Sequence, residues 1–219
     1  GDYSTGCAQV ILPYVIGSNG VYEQQTAWEV LAEKCELLVM WGADPTVTND
    51  IDWVTTIHEN AEGMEMVKKA GVPVIAINPL KPDAAEYFGK NCQWIAPKPG
   101  TDVAMMLGMA YELETSGKVD REFIRKYTVG YDKFIAYVLG KTDGVAKTPE
   151  WAEKICDVKV DAIKSLAHLM REKRSMLMGG WGIQRAQHGE QVHWMMVVLA
   201  AMCGHIGQPG GGFGFSYHY

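Results

Sequence analysis

The chain has 219 residues, 47% hydrophobic and 21% charged, with 20 basic against 26 acidic side chains and a formal net charge of −6. Such a length buries a core without difficulty, and the proportions are those of a globular chain. The acidic balance, with no dense Lys/Arg cluster, excludes a nucleic-acid surface, which needs a basic stripe. Cys7, Cys35, Cys92, Cys156 and Cys203 form no C-x-x-C pair, so they suggest neither a zinc site nor a disulfide framework and read as small buried hydrophobes, with Cys7, three residues from Ser4, left open. The longest apolar run, residues 195–203, is too short to span a bilayer.

The chain opens on GDYSTGCAQV, without an initiator methionine, and reads as starting inside a longer polypeptide. CELLVMWGADP predicts a buried strand over 36–40 that runs into a loop at 41–45. GMEMVKKAG reads as a helix stopped by Gly71. VPVIAINP is a second strand that breaks at Asn78 and Pro79, a short helix covers 83–88, and CQWIAP is a third strand. A helix capped by Thr101 follows, with Val103, Met106, Leu107 and Ala110 on one face. Further helices are expected over 121–127, 132–139, 149–156 and 160–171, then a strand over SMLMGG and a long helix over about 188–202. The glycine-rich end, GQPGGGFGFSYHY, shows no regular period. Alternating strands and helices imply an α/β fold, a parallel sheet flanked by helices, with a helix-rich second half. No stretch reads as a linker, so residues 1–219 are expected to form a single α/β region.

In an open parallel sheet, ligands bind beyond the carboxyl ends of the strands. Four such ends carry polar, Gly or Pro residues. The first is Trp41-Gly42-Ala43-Asp44-Pro45, and the second is Ile77-Asn78-Pro79-Leu80-Lys81. The third is Pro97-Lys98-Pro99-Gly100-Thr101-Asp102, and the fourth is Gly179-Gly180-Trp181 with Gln184 and Arg185. Asn78 stands where dinucleotide-binding folds read ribose hydroxyls. The Asp102 carboxylate matches the paired N–H donors of a guanine edge. Arg185 suits a phosphate, and Trp181 could pack on a planar ring. Turn chemistry alone explains each residue taken singly, as the helix dipole does for Asp102. Together they point to a nucleotide-like ligand. The G-x-G-x-x-G fingerprint is absent after the first strand, which argues against an NAD-dependent dehydrogenase.

The strings GDYSTGCAQVILPYVIGS, VYEQQTAW, WGADP, AINP, GTDVAMMLGMAY, GWGIQRAQHGEQVHWM and IGQPGGGFGFSYHY resemble the molybdopterin oxidoreductases over the whole chain. The resemblance is to the group of dimethyl sulfoxide, trimethylamine N-oxide and biotin sulfoxide reductases. It implies a Rossmann-like dinucleotide-binding layer and molybdenum held by two molybdopterin guanine dinucleotides, to which oxygen passes from an S-oxide or N-oxide. It also implies that Ser4, in DYSTG, is the one protein ligand to the metal, a hard oxygen donor suited to a high-valent ion. The grip on one dinucleotide would come from Trp41, Gly42, Ala43, Asp44, Thr48, Asn49, Ile77, Asn78, Pro79, Lys81, Gly100, Asp102, Gly180, Trp181 and Arg185. Relatives often carry a lysine where this chain has Thr46-Val47-Thr48-Asn49, an arginine where it has Leu80-Lys81, and an alanine where it has Cys7.

The resemblance further implies a cytochrome or similar electron donor and a periplasmic parent, or a cytoplasmic one as among biotin sulfoxide reductases. These residues are then the central portion of a longer enzyme, expected to fold around their sheet without turning over substrate alone. The competing reading is a non-catalytic Rossmann-like module that holds a nucleotide without redox chemistry.

Overall fold

The computed structural model describes residues 6–20, 25–48, 58–215 and Tyr217. Helix α1 (Gly6–Ile16) and helix α2 (Trp28–Lys34) lead to strand β1 (Leu37–Trp41), followed by the short helix α3 (Pro45–Thr48) and by α4 (Asn60–Lys69). Strand β2 (Val74–Ile77), helix α5 (Asp83–Phe88), strand β3 (Cys92–Ile95) and helix α6 (Asp102–Thr115) continue the alternation. Helices α7 (Arg121–Tyr127), α8 (Tyr131–Val138), α9 (Pro149–Cys156) and α10 (Val160–Glu172) precede strand β4 (Ser175–Gly179), the long helix α11 (Glu190–Cys203) and strand β5 (Gly212–Gly214).

Among the described residues five strands form one parallel sheet, in the order β3-β2-β1-β4-β5. β1, β2 and β4 are buried at every position, which is why they read as unbroken apolar runs: a parallel strand covered on both faces has no polar side to show. Alternate residues go to opposite faces. Leu37, Val39, Trp41, Ile75, Ile77 and Leu177 meet the core formed with α1, α6, α10 and α11. Leu38, Met40, Val74, Met176 and Met178 pack with residues of α2, α4 and α5. Met105, Met106, Met109, Met195 and Met196 are all buried, as their helical spacing predicts.

Several expectations need correction. The first strand is shifted by one residue, so Trp41 belongs to β1 and its side chain to the core. Thr101 does not cap α6 with its side chain; its backbone (φ −112°, ψ 13°) is outside the extended region that capping needs, and its Oγ1 donates to Lys98 O at 2.6 Å. Cys35, Cys156 and Cys203 are buried, but Cys7 and Cys92 are only half-buried. Cys92 sits on β3, which is an edge strand. The glycine-rich end contains β5, a strand made by pairing with β4 rather than by its own propensity. Among the described residues no helix is long and apolar enough to cross a membrane.

Candidate functional site

Because the strands are parallel, the segments after β1, β2, β3 and β4 all leave the sheet at one edge. The chain runs outward from β1 through β2 to β3, then crosses back to β4 and β5, so its order reverses between β1 and β4. The carboxyl ends of the two strands at such a reversal are the usual ligand position in open parallel sheets. Backbone pairing persists one residue past each strand: Gly42 N donates to Ile77 O at 2.8 Å, Gly180 N to Trp41 O at 2.9 Å, and Asn78 N to Ile95 O at 3.1 Å.

The first and fourth loops touch through their backbones. A Cβ on Gly180 would lie 1.7 Å from Gly42 O, and one on Gly42, whose φ is +60°, would lie 2.3 Å from Ile183 Cγ2. Only residues without a side chain allow this approach.

Around this contact the polar groups are specific. Trp41 Nε1 donates to Asp102 Oδ1 at 2.8 Å, across the core face from β1 to the first residue of α6. Asp102 is buried, and burial pushes its carboxyl up, against the lowering effect of the Trp41 bond. A guanine edge reaching Asp102 would share Oδ1 with the indole or take Oδ2. Asp44 holds its own loop: Oδ1 accepts from Thr46 N at 3.2 Å and from Thr46 Oγ1, and Oδ2 accepts from Ala84 N at 3.4 Å, tying the β1 loop to the start of α5. Thr48 Oγ1 donates back to Asp44 O at 3.0 Å. Ala43 and the Ile77 side chain are core, so Ile77 contributes its backbone alone.

Asn78, half-buried, follows β2 directly, and its carbonyl accepts from Trp94 Nε1 at 2.8 Å. Pro79 and Lys81 are exposed, and Lys81 Nζ lies 3.2 Å from Glu86 Oε1. Gly100 is exposed in the β3–α6 turn with φ +73°. Trp181 is buried and stacks on the His193 ring, centroids 5.4 Å apart at 22°, so the planar partner it meets is a core imidazole. Arg185 is exposed, its backbone N donating to Gly182 O at 3.3 Å. The structure thus joins Trp41 to Asp102 and Gly42 to Gly180. It leaves Lys81 and Arg185 on loops two strand spacings apart, roughly 10 Å. Ser4 and Asn49 lie outside the described residues.

Three further contacts have no periodic signal in the sequence. Ala8 N, in the first turn of α1, donates to the buried Gln184 Oε1 at 2.8 Å, so the helix that begins two residues after Ser4 starts on the β4 loop. This bond satisfies a helix-end amide that has no intrahelical partner. Phe215 N donates to Gln25 Oε1 at 2.9 Å, and Tyr217 OH donates to Thr26 O at 2.8 Å. GDYSTG with the helix after it, VYEQQT, GWGIQR and GGGFGFSYHY are strings without local explanation. Their described residues bind one another at the β4–β5 side of the carboxyl edge.

The family model for molybdopterin oxidoreductases matches residues 1–219. The chain belongs to the molybdopterin oxidoreductase family. It is 53% identical over 219 residues to the dimethyl sulfoxide/trimethylamine N-oxide reductase of Rhodobacter capsulatus and 52% identical over 219 residues to the trimethylamine-N-oxide reductase of Haemophilus influenzae. Trimethylamine-N-oxide reductase 1 of Escherichia coli K12 is 44% identical over 224 residues. In each case the match covers 100% of this chain and 26% of the relative, so the chain spans about a quarter of the length of these relatives. Among solved structures, acetylene hydratase from Pelobacter acetylenicus superposes with a TM-score of 0.64 at 16% identity, over 95% of this chain and 28% of that one. That likeness speaks to the fold, and it agrees with the layered parallel sheet.

Proposed function

We propose that the protein containing this chain is a molybdenum-dependent reductase of small S-oxides and N-oxides, and that residues 1–219 grip one of two molybdopterin guanine dinucleotides along the carboxyl edge of the sheet. The observation that carries this reading is the start of α1, bonded through Ala8 and Gln184 to the β4 loop at the switch point. It ties α1, the helix that follows Ser4 in sequence, to the carboxyl edge at which we place a dinucleotide. Family membership and the names of the relatives, which act on dimethyl sulfoxide or trimethylamine N-oxide, support the chemistry.

The residues present suit such a group. Arg185 and Lys81 are exposed cations for phosphates, Asn78 stands at a strand end for a ribose, and Asp102 is a buried acceptor for guanine. The Gly42–Gly180 approach brings the β1 and β4 loops together backbone to backbone, with Ile183 packed over Gly42. Ser4 would supply a hard oxygen ligand. When bound, the molybdenum–pterin group would supply two-electron oxygen-atom exchange. The chain's own part is to hold and orient it. A cytochrome or similar donor returns electrons, and we place the whole protein in the periplasm, to be checked by cell fractionation.

Ser4→Ala in the full-length protein tests the reading. Trimethylamine N-oxide reduction should fall at least 100-fold, as when a group acting directly on the reacting centre is removed. The molybdenum spectroscopic signature should change while the circular dichroism spectrum stays the same. Unchanged metal content and activity would sink the proposal and leave a non-catalytic nucleotide module.

A further inference from the structure

A groove of about 470 Å³ opens on the helical layer, between the N-terminal half of α6, the length of α11, the turn joining α7 to α8 with α8 itself, and α9. Val103, Leu107, Phe134, Trp151, Trp194 and Val198 are among its walls. None of the described residues lining it is charged, and apart from tyrosines its polar side chains are Thr128 and Gln191. The Tyr131 hydroxyl turns away and donates to Glu114 Oε2 at 2.7 Å. The rim is apolar as well: Val129 is 99% exposed, Trp194 47% and Tyr137 40%.

The walls are fixed before anything enters. At Gly108 a Cβ would lie 2.8 Å from Ala152 Cβ, so α6 and α9 pack at close range. Buried Lys147 anchors the α8–α9 connection through Asp143 Oδ2 at 2.6 Å and Val145 O, and sits 4.0 Å over the Tyr137 ring. A preformed surface loses little entropy on being covered.

Small-ligand pockets combine apolar walls with a few convergent polar groups, and this groove lacks that convergence. An exposed apolar rim around an apolar floor is instead the pattern of a surface covered by protein. About three quarters of the length of the relatives lies outside the matched region, so a parent of like length carries polypeptide enough to cover the groove. We infer that the groove seats an apolar segment of the same polypeptide lying outside residues 1–219. The inference rests on family membership and on relative length, and not on the molybdenum chemistry proposed above.

Thiol labelling of Val129→Cys in the full-length protein tests it, with the unsubstituted protein as the blank for native cysteines. Val129 packs on little in this structure, so its replacement leaves folding intact. A covered thiol reacts only through local opening, so labelling should be at least about tenfold slower than in a short peptide carrying the same cysteine, at every protein concentration. A rate equal to the peptide's overturns the inference. Slow labelling that speeds up on dilution also overturns it, because the occupant is then a second copy. Neither result depends on bound metal, so failure here is distinct from failure of the Ser4→Ala test.

Discussion

The two edges of the sheet use similar side chains to different ends. At the amino edge the polar groups close on one another. Arg174 N donates to Glu36 Oε2 at 2.8 Å, and Arg174 Nε to Lys34 O at 2.6 Å. Ser175 N donates to His205 Nδ1 at 3.2 Å, and Ser175 Oγ to Met170 O at 2.9 Å. At the carboxyl edge, backbones meet through glycines, Asp102 is buried with an indole partner, and Lys81, Lys98 and Arg185 stand exposed. Lys81 and Lys98 are held there by surface ion pairs with Glu86 and Asp157, of a kind worth about 0–1 kcal/mol. Polar groups that consume one another stabilise a fold. Exposed cations in weak surface pairs, with Arg185 on the neighbouring loop, remain able to meet an anion.

The largest effect expected from this comparison is at Gly180. Its replacement by alanine drives a Cβ into Gly42 O, a backbone atom that cannot swing aside. The cost should be on the order of 3 kcal/mol or more, at the upper end for overpacking. Urea unfolding measures it, and a loss below about 1 kcal/mol would show the two loops to be separable.

Trp41→Phe comes next. It removes the donor to a buried carboxylate and should cost about 1–3 kcal/mol. Asp102→Asn in the same background should recover part of that loss, because a neutral amide is less costly to bury. If Trp41→Phe is silent, the Asp102 carboxylate is served by solvent and belongs with the outward-facing groups.

His205 tests the amino edge. Burial lowers its pKa from the ordinary 6.5, assisted by Arg171, while Asp120 and Glu36 oppose the shift and Arg174 adds to it. The unfolded state therefore binds more protons between 6.5 and the lowered folded value. Stability is fully present above about pH 6.5 and falls as pH drops through the folded pKa. Denaturation midpoints at pH 7.5 and pH 5.5 should differ in that direction, and His205→Gln should shrink the difference. An unchanged pH response would remove His205 from the closed network.

Arg185→Ala should be the mildest change to the fold, within about 0.5 kcal/mol by thermal melting, as for an exposed side chain. On the proposed function it should still reduce the guanine nucleotide recovered per molecule of the full-length protein after acid release. Full retention would mean that Arg185 does not grip a phosphate.

The sequence by itself determined the main strands, most helix boundaries and the edge on which the loops gather. Residues 83–88, 121–127 and 149–156 are helices over the ranges their patterns predict. Runs such as LLVMW and VIAI carry their burial on both faces in their composition, and parallel strands bring every following loop to one edge. Helices α1 and α2 escaped this reading: α1 is apolar on most sides and carries Pro13 inside it, so no amphipathic stripe or clean boundary marks it.

Only the tertiary structure decided which loops touch. Trp41 and Asp102 are 61 residues apart, Ala8 and Gln184 are 176 apart, and Gln25 and Phe215 are 190 apart. Each pair depends on strand order and helix placement, and a single hydrogen bond between distant residues leaves no period in a sequence. β5 has the same origin, since three residues, two of them glycine, extend because β4 offers them a ladder.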